Sequence, residues 1–322
     1  MKVYVTGGSG FLGRPLIEKL VAQGKRVTAL AMSAGDAEVV RELGAEPVIG
    51  TLHDTEILRQ SMAQCDAVIH LAALMKLFGN WNELFSVNVD GMRNILAVAN
   101  NLGVRRFIYV SAAGVLCDGS PVVDADETRP RPKKPVGAYA GTKAIAERSV
   151  LEANCPGFEV VVVRPPCLWG KGDLAMLPTL SQMVRDGKWK WINKGDYPYS
   201  VCHVKNACEG VIKALDKGRG GEIYFVADGG QTSFRDVFDP LLRTQDVDPG
   251  EASMPLWLVR AIASVLESVW RFLKINGEPP IARDTVSLFF TPLSINDSKA
   301  RQELGYEGSV TLKEGLAELK NA

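Results

Sequence analysis

The sequence predicts an α/β fold: a doubly wound parallel sheet with a smaller C-terminal α/β substrate domain. Three observations carry that expectation. A glycine-rich turn opens the chain between a strand-like and a helix-like segment. Short apolar runs then alternate with stretches of helical spacing as far as Arg164, the pattern of βαβ units. Beyond residue 170 the sequence turns loop-rich and aromatic. The expected division is therefore 1–170 for the sheet domain, with a returning strand near 221–228, and 171–322 mainly for substrate.

The first fourteen residues read MKVYVTGGSGFLGR. Lys2 to Thr6 is a short apolar run suited to a buried strand. Gly7, Gly8, Gly10 and Gly13 follow, and Leu16, Ile17, Leu20 and Val21 then repeat at helical spacing. Strand, glycine turn and helix make half of a dinucleotide-binding βαβ unit. One glycine allows the tight turn, one lets a pyrophosphate approach the backbone, and one lets helix and strand pack closely. The phosphates would lie at the helix N-terminus, where free N–H groups and the dipole favour negative charge.

Val27 to Ala31 is the second strand. The side chain at its end ordinarily selects the cofactor, an acid for the ribose hydroxyl of NAD and a base for the phosphate of NADP. Ala31, Met32 and Ser33 provide neither, although Arg14 could reach the phosphate, so the choice between NAD and NADP stays open. A third strand is expected near Pro47–Ile49, a helix over 54–63 and a fourth strand over Ala67–Leu71. This last strand ends in small residues, Leu71-Ala72-Ala73, across which a cofactor can lie. His70, beside them, reads as a packing or hydrogen-bonding residue rather than a catalytic one.

A long helix is expected over Glu83–Leu102, with Asn94 structural, and a buried strand over Arg106–Ser111. Cys117 to Gly137 is dense in proline and charge, which no helix interior or central strand tolerates. Two readings fit it: solvated surface, or a mobile cover over a pocket. The helix that follows opens with Tyr139-Ala-Gly-Thr-Lys143, whose four-residue separation puts both side chains on one face. Tyrosine titrates near pH 10, so work near neutrality needs a shift of about 3 pH units, or roughly 4 kcal/mol. A neighbouring ammonium and an oxidised nicotinamide both favour the phenolate.

Composition narrows the function classes. Lys plus Arg and Asp plus Glu are 37 each, without the basic excess that a nucleic-acid binder needs. The six cysteines form no Cys-x-x-Cys pair and share no spacing with the three histidines. No metal site or disulfide framework is expected, and a reducing, cytoplasmic setting fits. In the C-terminal half, Trp189, Trp191, Tyr197 and Tyr199 could line an apolar pocket or build a small core. His203 reads as structural, and 221–227 (GEIYFVA) as a strand. Residues 255–275 form an amphipathic helix whose recurring charges exclude a membrane span. Packing on the body is the default for it. A lid, a homodimer seam or a peripheral membrane contact are the alternatives.

Motifs run almost end to end: TGGSGFLG at Thr6–Gly13, HLAA at His70–Ala73, NVDGMRN at Asn88–Asn94, YAGTK at Tyr139–Lys143 and RPPCLWGKGD at Arg164–Asp173. CHVKNA at Cys202–Ala207 and NDSKARQELGY at Asn296–Tyr306 complete them. With these the chain resembles the extended short-chain dehydrogenase/reductase family (the NAD-dependent epimerase/dehydratase superfamily), closest to its 3β-hydroxysteroid and sterol dehydrogenase branch. The resemblance implies a Rossmann-type fold, a small-molecule substrate, Tyr139 as acid/base, and Lys143 holding the ribose and lowering the tyrosine pKa. It implies cofactor contacts from Gly7, Gly10, Phe11, Leu12 and Gly13, from Ser33 and Leu52, and from Leu71, Ala72, Ala73 and Asn88. Pro165 and Cys167 would meet the nicotinamide.

Three positions depart from the family pattern. Ala112 stands where relatives carry a catalytic Ser or Thr, leaving Ser111 as the substitute from one position earlier; one lost hydrogen bond of that kind costs a few kcal/mol of barrier. Thr51 replaces the Asp that contacts adenine, and the second strand lacks its terminal Asp or Arg. Three activities are weighed. The first is an NAD(P)-dependent alcohol/ketone oxidoreductase for a bulky apolar, sterol-like substrate. The second is a nucleotide-sugar epimerase or dehydratase, and the third a catalytically weakened NAD(P)-binding protein.

Overall fold

The structure, a computed structural model, describes residues 1–76, 80–230, 232–273 and 283–320. Strands and helices alternate through the first half: β1 (Lys2–Thr6), α1 (Gly13–Ala22), β2 (Arg26–Ala31), α2 (Ala34–Glu42), β3 (Glu46–Ile49), α3 (Thr55–Met62) and β4 (Ala67–His70). Then come α4 (Trp81–Phe85), α5 (Met92–Asn101), β5 (Arg106–Val110), β6 (Val122–Ala125), α6 (Gly137–Glu152) and β7 (Glu159–Arg164). The second half runs β8 (Cys167–Trp169), α7 (Met176–Arg185), β9 (Trp191–Ile192), β10 (Val201–His203), α8 (Val204–Lys217) and β11 (Ile223–Phe225). It ends with α9 (Phe234–Arg243), β12 (Ser253–Met254), α10 (Leu256–Leu273), α11 (Arg283–Phe289), β13 (Leu293–Ile295) and α12 (Leu312–Lys320).

Seven strands form one parallel sheet in the order β11-β7-β5-β4-β1-β2-β3. The chain reverses its winding between β1 and β4, and ligands of such sheets bind in the crevice at that switch point, beyond the strand C-termini. Helices cover both faces, which is why β1, β4, β5 and β7 are continuous apolar runs rather than alternating ones. Leu16, Ile17 and Leu20 of α1 pack on one face with Val204, Val211 and Leu215 of α8. Leu58 of α3, Ile95 of α5 and Val150 of α6 pack on the other. α8 thus belongs to the sheet's flank although it follows residue 171, and β11 lies at the sheet edge beside β7.

Three differences from the sequence reading have physical causes. The helix expected over Glu83–Leu102 is α4 and α5 joined by a π turn, Ser86–Gly91. Asn88 in that turn is drawn inward to Leu74 and Thr142, and Gly91 lies so close to Leu52 that a Cβ there would stand 2.8 Å from it. Trp189, Trp191, Tyr197 and Tyr199 are all buried and meet one another and Phe234 at edges and faces. They build a core, one of the two roles the sequence left open for them. The proline-rich stretch is a strap and not free surface: β6 pairs with β13, Glu127 accepts the Phe225 N–H at 2.8 Å, and Arg131 reaches Glu147 at 2.5 Å.

Helix α10 packs on the body through Val259 and Ala263, with Ile192 and Val286. A second apolar arc faces outward, with Trp257 70% and Phe272 86% exposed beside Val265, Val269 and Leu273. Lys274 and Ile275, the end of the helix expected from the sequence, lie outside the described residues. Among the described residues no helix is long and apolar enough to cross a membrane.

Candidate active site

The glycine turn after β1 is a built cradle. Gly7 takes φ +72°, and a Cβ there would stand 2.8 Å from the Ala72 nitrogen, so the turn abuts the loop after β4. At Gly13 a Cβ would lie 2.1 Å from the Gly7 carbonyl and 2.7 Å from Gly8, which fixes how closely α1 approaches the turn. At Gly10 an added Cβ would meet only the Gly7 carbonyl, at 3.3 Å, and otherwise nothing within 4 Å. Backbone that tight on one side and open on the other suits a pyrophosphate against the start of α1. Phe11 and Leu12 pack into the core behind it, Leu12 buried and Phe11 partly so.

The β4 end closes the other wall. Thr6 Oγ1 bonds His70 Nδ1 at 2.8 Å and accepts the Ala72 N–H at 3.2 Å, pinning β1 to the loop of Leu71, Ala72 and Ala73. His70 is fully buried, stacks on Tyr109 with ring centroids 5.9 Å apart, and is pushed down to about 3, first by burial and then by Lys143. It stays neutral, and its work is to hold the loop. Asn88 donates to the Leu74 carbonyl and Thr142 and accepts the Leu74 N–H, so it ties that loop to α6. Leu52 is packed among Leu30, Leu58 and Met92, with its carbonyl taken by Asn94.

The end of β2 holds a carboxylate that the sequence reading missed. Ser33 caps α2, accepting the Asp36 N–H and donating to the Asp36 carboxylate at 2.7 Å. Hydrogen bonds from Ser33 and Ser9, with Arg14 nearby, hold the Asp36 carboxyl below its usual range. Three residues past the expected position, the helix turn carries it back beside the glycine loop. The signal was the Ser-x-x-Asp capping spacing.

Tyr139 and Lys143 lie one turn apart near the start of α6, against the β5 end. Gly137, at φ +75°, turns the strap into that helix. Lys143 is only 2% exposed, donates to the Val110 carbonyl at 2.7 Å and sits 4.2 Å above the Tyr109 ring. Burial lowers it to about 7, partly opposed by Glu147. Tyr139 is half-buried, and its hydroxyl bonds no described residue. Burial pushes its phenol up to about 12, with no lowering from Lys143. Burial thus opposes charge on the phenol and on the amine alike.

Ser111 and Ala112 are extended neighbours at the β5 end, and successive residues of extended chain face opposite ways. Ser111 is 4% exposed, its hydroxyl has no partner at hydrogen-bond geometry, and it lies near enough to Glu147 to help hold that carboxyl down. Ala112 is the more open of the two. Pro165 accepts the Ala113 N–H at 2.9 Å, which brings the turn after β7 beside the same strand end, and Cys167 begins β8 with its thiol pushed up to about 12 by burial. Trp81 overlies Gly141, two residues past Tyr139, and the nearly bare Leu174 follows Gly172, which faces Phe11. Apolar groups thus lie beside α6 and beside the glycine turn. His203 caps α8 and is sealed under Trp169, clear of any chemistry.

A glycine cradle at a switch point, with a Tyr-x-x-x-Lys helix beside it, defines an extended short-chain dehydrogenase/reductase. A family model described as the 3-beta hydroxysteroid dehydrogenase/isomerase family matches residues 4–256, and the chain belongs to that family. It is similar to a 4-hydroxy-2-methyl-3-oxo-4-farnesyl-3,4-dihydroquinoline-1-oxide ketoreductase of Stigmatella aurantiaca, 43% identical over all of this chain and 96% of the relative. It is 31% identical to a decarboxylating sterol-4-alpha-carboxylate 3-dehydrogenase of Dictyostelium discoideum, covering 98% of this chain and 99% of that one. Its fold is shared by the NAD-bound dTDP-glucose 4,6-dehydratase of Streptomyces venezuelae, with a TM-score of 0.77 at 22% identity over 100% and 96% of the two chains. The protein is an oxidoreductase of the extended short-chain type.

Proposed function

We propose that the protein interconverts a ketone and a secondary alcohol on a bulky apolar small molecule with a nicotinamide dinucleotide as cofactor. The observation that carries this is the Tyr139–Lys143 pair set one turn apart at the β5 end, beside the crevice that the glycine turn and Leu71–Ala73 enclose. The cofactor, when bound, accepts or gives the hydride and in its oxidised form adds positive charge near the phenol. Tyr139 moves the proton at the substrate oxygen. Lys143, held by Val110, is placed for the ribose. Gly7, Gly10 and Gly13 take the phosphates, and Pro165 and Cys167 border the nicotinamide side. The hydrogen bond that Ala112 cannot give falls to the substrate, to water or to Ser111, whose buried hydroxyl has no partner at hydrogen-bond geometry.

Asp36 supports NAD over NADP, because a 2′-phosphate beside the glycine loop would meet its carboxylate. The farnesylated and sterol substrates in the names of the two relatives, and the apolar groups beside α6 and the glycine turn, favour a lipid-like ketone over a nucleotide sugar. The outward arc of α10 suits the surface of a membrane holding such a substrate, with a second copy of the chain as the rival occupant. The test of the activity is NADH or NADPH oxidation over a panel of ketones bearing farnesyl, alkyl or sterol groups, against nucleotide sugars. Turnover of the apolar ketones is expected. Stable binding of a nucleotide sugar with no ketone reduced would replace this reading by the epimerase/dehydratase one.

A further inference from the structure

The end of β5 supplies both contacts of the Lys143 ammonium. The Val110 carbonyl accepts from it at 2.7 Å, and the Tyr109 ring lies beneath it with its centroid 4.2 Å away. Among the described residues no carboxylate stands at ion-pair distance from Lys143, since Glu147, one turn further along α6, is taken by Arg164 and Arg131. The ring is itself fixed. Tyr109 is 1% exposed and lies within 15° of parallel to the His70 imidazole, which Thr6 pins at 2.8 Å. Its hydroxyl is buried with no hydrogen-bond partner among the described residues, so what the side chain offers its surroundings is the ring. An aromatic face is negative and attracts a cation, more strongly where water is excluded. Lys143 is in such a place, and burial there opposes its charge. We propose that Tyr109 is a positioning residue whose ring face, together with the Val110 carbonyl, holds the Lys143 ammonium charged and in place one turn from Tyr139.

This rests on the reading of Tyr139 and Lys143 as the reacting pair, and deepens it: a lysine that holds a ribose and favours a phenolate must keep its own proton in a water-poor place. The titratable groups around Lys143 are few. His70 of β4 is neutral, and the Tyr109 phenol is pushed far up by burial, so its ring stays uncharged. From α6 itself come Tyr139 and Glu147, from β7 Arg164, and from the strap Arg131. On the α4 side Lys76 and Glu83 are exposed and paired with each other, Asp90 of the π turn is exposed, and Arg93 of α5 bonds Ser149 further along. The ring face and the Val110 carbonyl alone touch the ammonium among the described residues.

A stabilising contact to the charged form raises the pKa of an amine, so weakening the ring face must lower the Lys143 titration, on the order of one pH unit for a desolvated contact. The experiment is an NMR titration of isotope-labelled lysine in the full-length protein, with Lys143 assigned by its loss in Lys143→Met. Three changes at Tyr109 separate face from shape. Tyr109→Phe keeps the ring and drops the hydroxyl, pentafluorophenylalanine at Tyr109 keeps the ring outline but withdraws electron density from its face, and Tyr109→Leu removes the ring. Tyr109→Phe is expected to titrate close to wild type and to keep the upfield shift that a ring imposes on the Lys143 Cε protons. The fluorinated ring and Tyr109→Leu should both titrate lower, with that upfield shift lost in Tyr109→Leu, and the pH profile of kcat should move with them. If Tyr109→Leu does not fold, the contrast of Tyr109→Phe with the fluorinated ring decides alone. Equal Lys143 titrations in those two, or a wild-type titration in Tyr109→Leu, would overturn the proposal. Failure of the Tyr139–Lys143 reading shows separately, as full turnover in Tyr139→Phe.

Discussion

Glycines 10 and 13 differ by what a single carbon would strike. A Cβ at Gly13 meets backbone on both sides, 2.1 Å from the Gly7 carbonyl and 2.7 Å from Gly8, so Gly13→Ala must open the turn. A Cβ at Gly10 meets one carbonyl at 3.3 Å and fills the cradle. Gly13→Ala is expected to lose both thermal stability and dinucleotide affinity. Gly10→Ala should keep its melting temperature while affinity, read by fluorescence titration with NADH, falls about tenfold, or about 1.4 kcal/mol. At the end of β2, Asp36→Asn should raise the relative use of NADPH, measured as the ratio of kcat/KM values for the two cofactors. The glycine turn and the placement of Tyr139 and Lys143 one turn apart were legible because they follow from local spacing. The nearness of Asp36 to Ser9 and Arg14 of the glycine turn, and that of Arg131 to Glu147, were not, since only the folded chain brings these residues together.

Among elements, the junction of β8, β10 and β11 depends on one carboxylate. Asp228, just past β11, accepts from Trp169 Nε1 and the His203 N–H at 2.6 Å each and from Asn206 Nδ2 at 2.7 Å. Asp228→Ala leaves Trp169 Nε1 and the His203 N–H unpaired and removes one of the two bonds of Asn206 Nδ2, and should cost about 3 kcal/mol or more in a denaturant titration. Helix α10 shows how periodicity can mislead about partners. Its apolar spacing announced a helix, yet Val259 and Ala263 face the body while Trp257, Val265 and Phe272 face outward. Charging that arc by Val265→Asp with Phe272→Asp should abolish co-sedimentation with phospholipid vesicles and leave ketone turnover in detergent unchanged. Loss of a dimer on size exclusion, with vesicle binding intact, would assign the arc to a second copy. The strap escaped the sequence for a related reason: prolines announce what a segment cannot be, and its anchors Glu127 and Arg131 look like ordinary surface charges.

On the scale of the molecule, the alternation of apolar runs and amphipathic stretches was enough to give the doubly wound parallel sheet, and the comparisons place the chain in the family that its motifs resembled. What pattern could not convey is the destination of the aromatic residues of the second half, which depends on tertiary packing and proves to be core. Buried histidines make a prediction for the whole fold. Burial lowers His70 to about 3 and His203 to about 4, below the value near 6.5 of an unfolded chain. As pH falls below about 6.5 the unfolded state takes protons that the folded state refuses, so stability drops by about 1.4 kcal/mol per pH unit for each histidine until the folded values are reached. Urea unfolding at about pH 7 and pH 5 should show it, and the drop should shrink in His203→Gln. The central claim, that Tyr139 moves the proton at the crevice between β1 and β4, is tested most directly by rapid mixing of Tyr139→Phe with cofactor and ketone, followed by nicotinamide absorbance. We expect hydride transfer slowed by about 10²–10⁴-fold at unchanged cofactor affinity; transfer at the wild-type rate would contradict it.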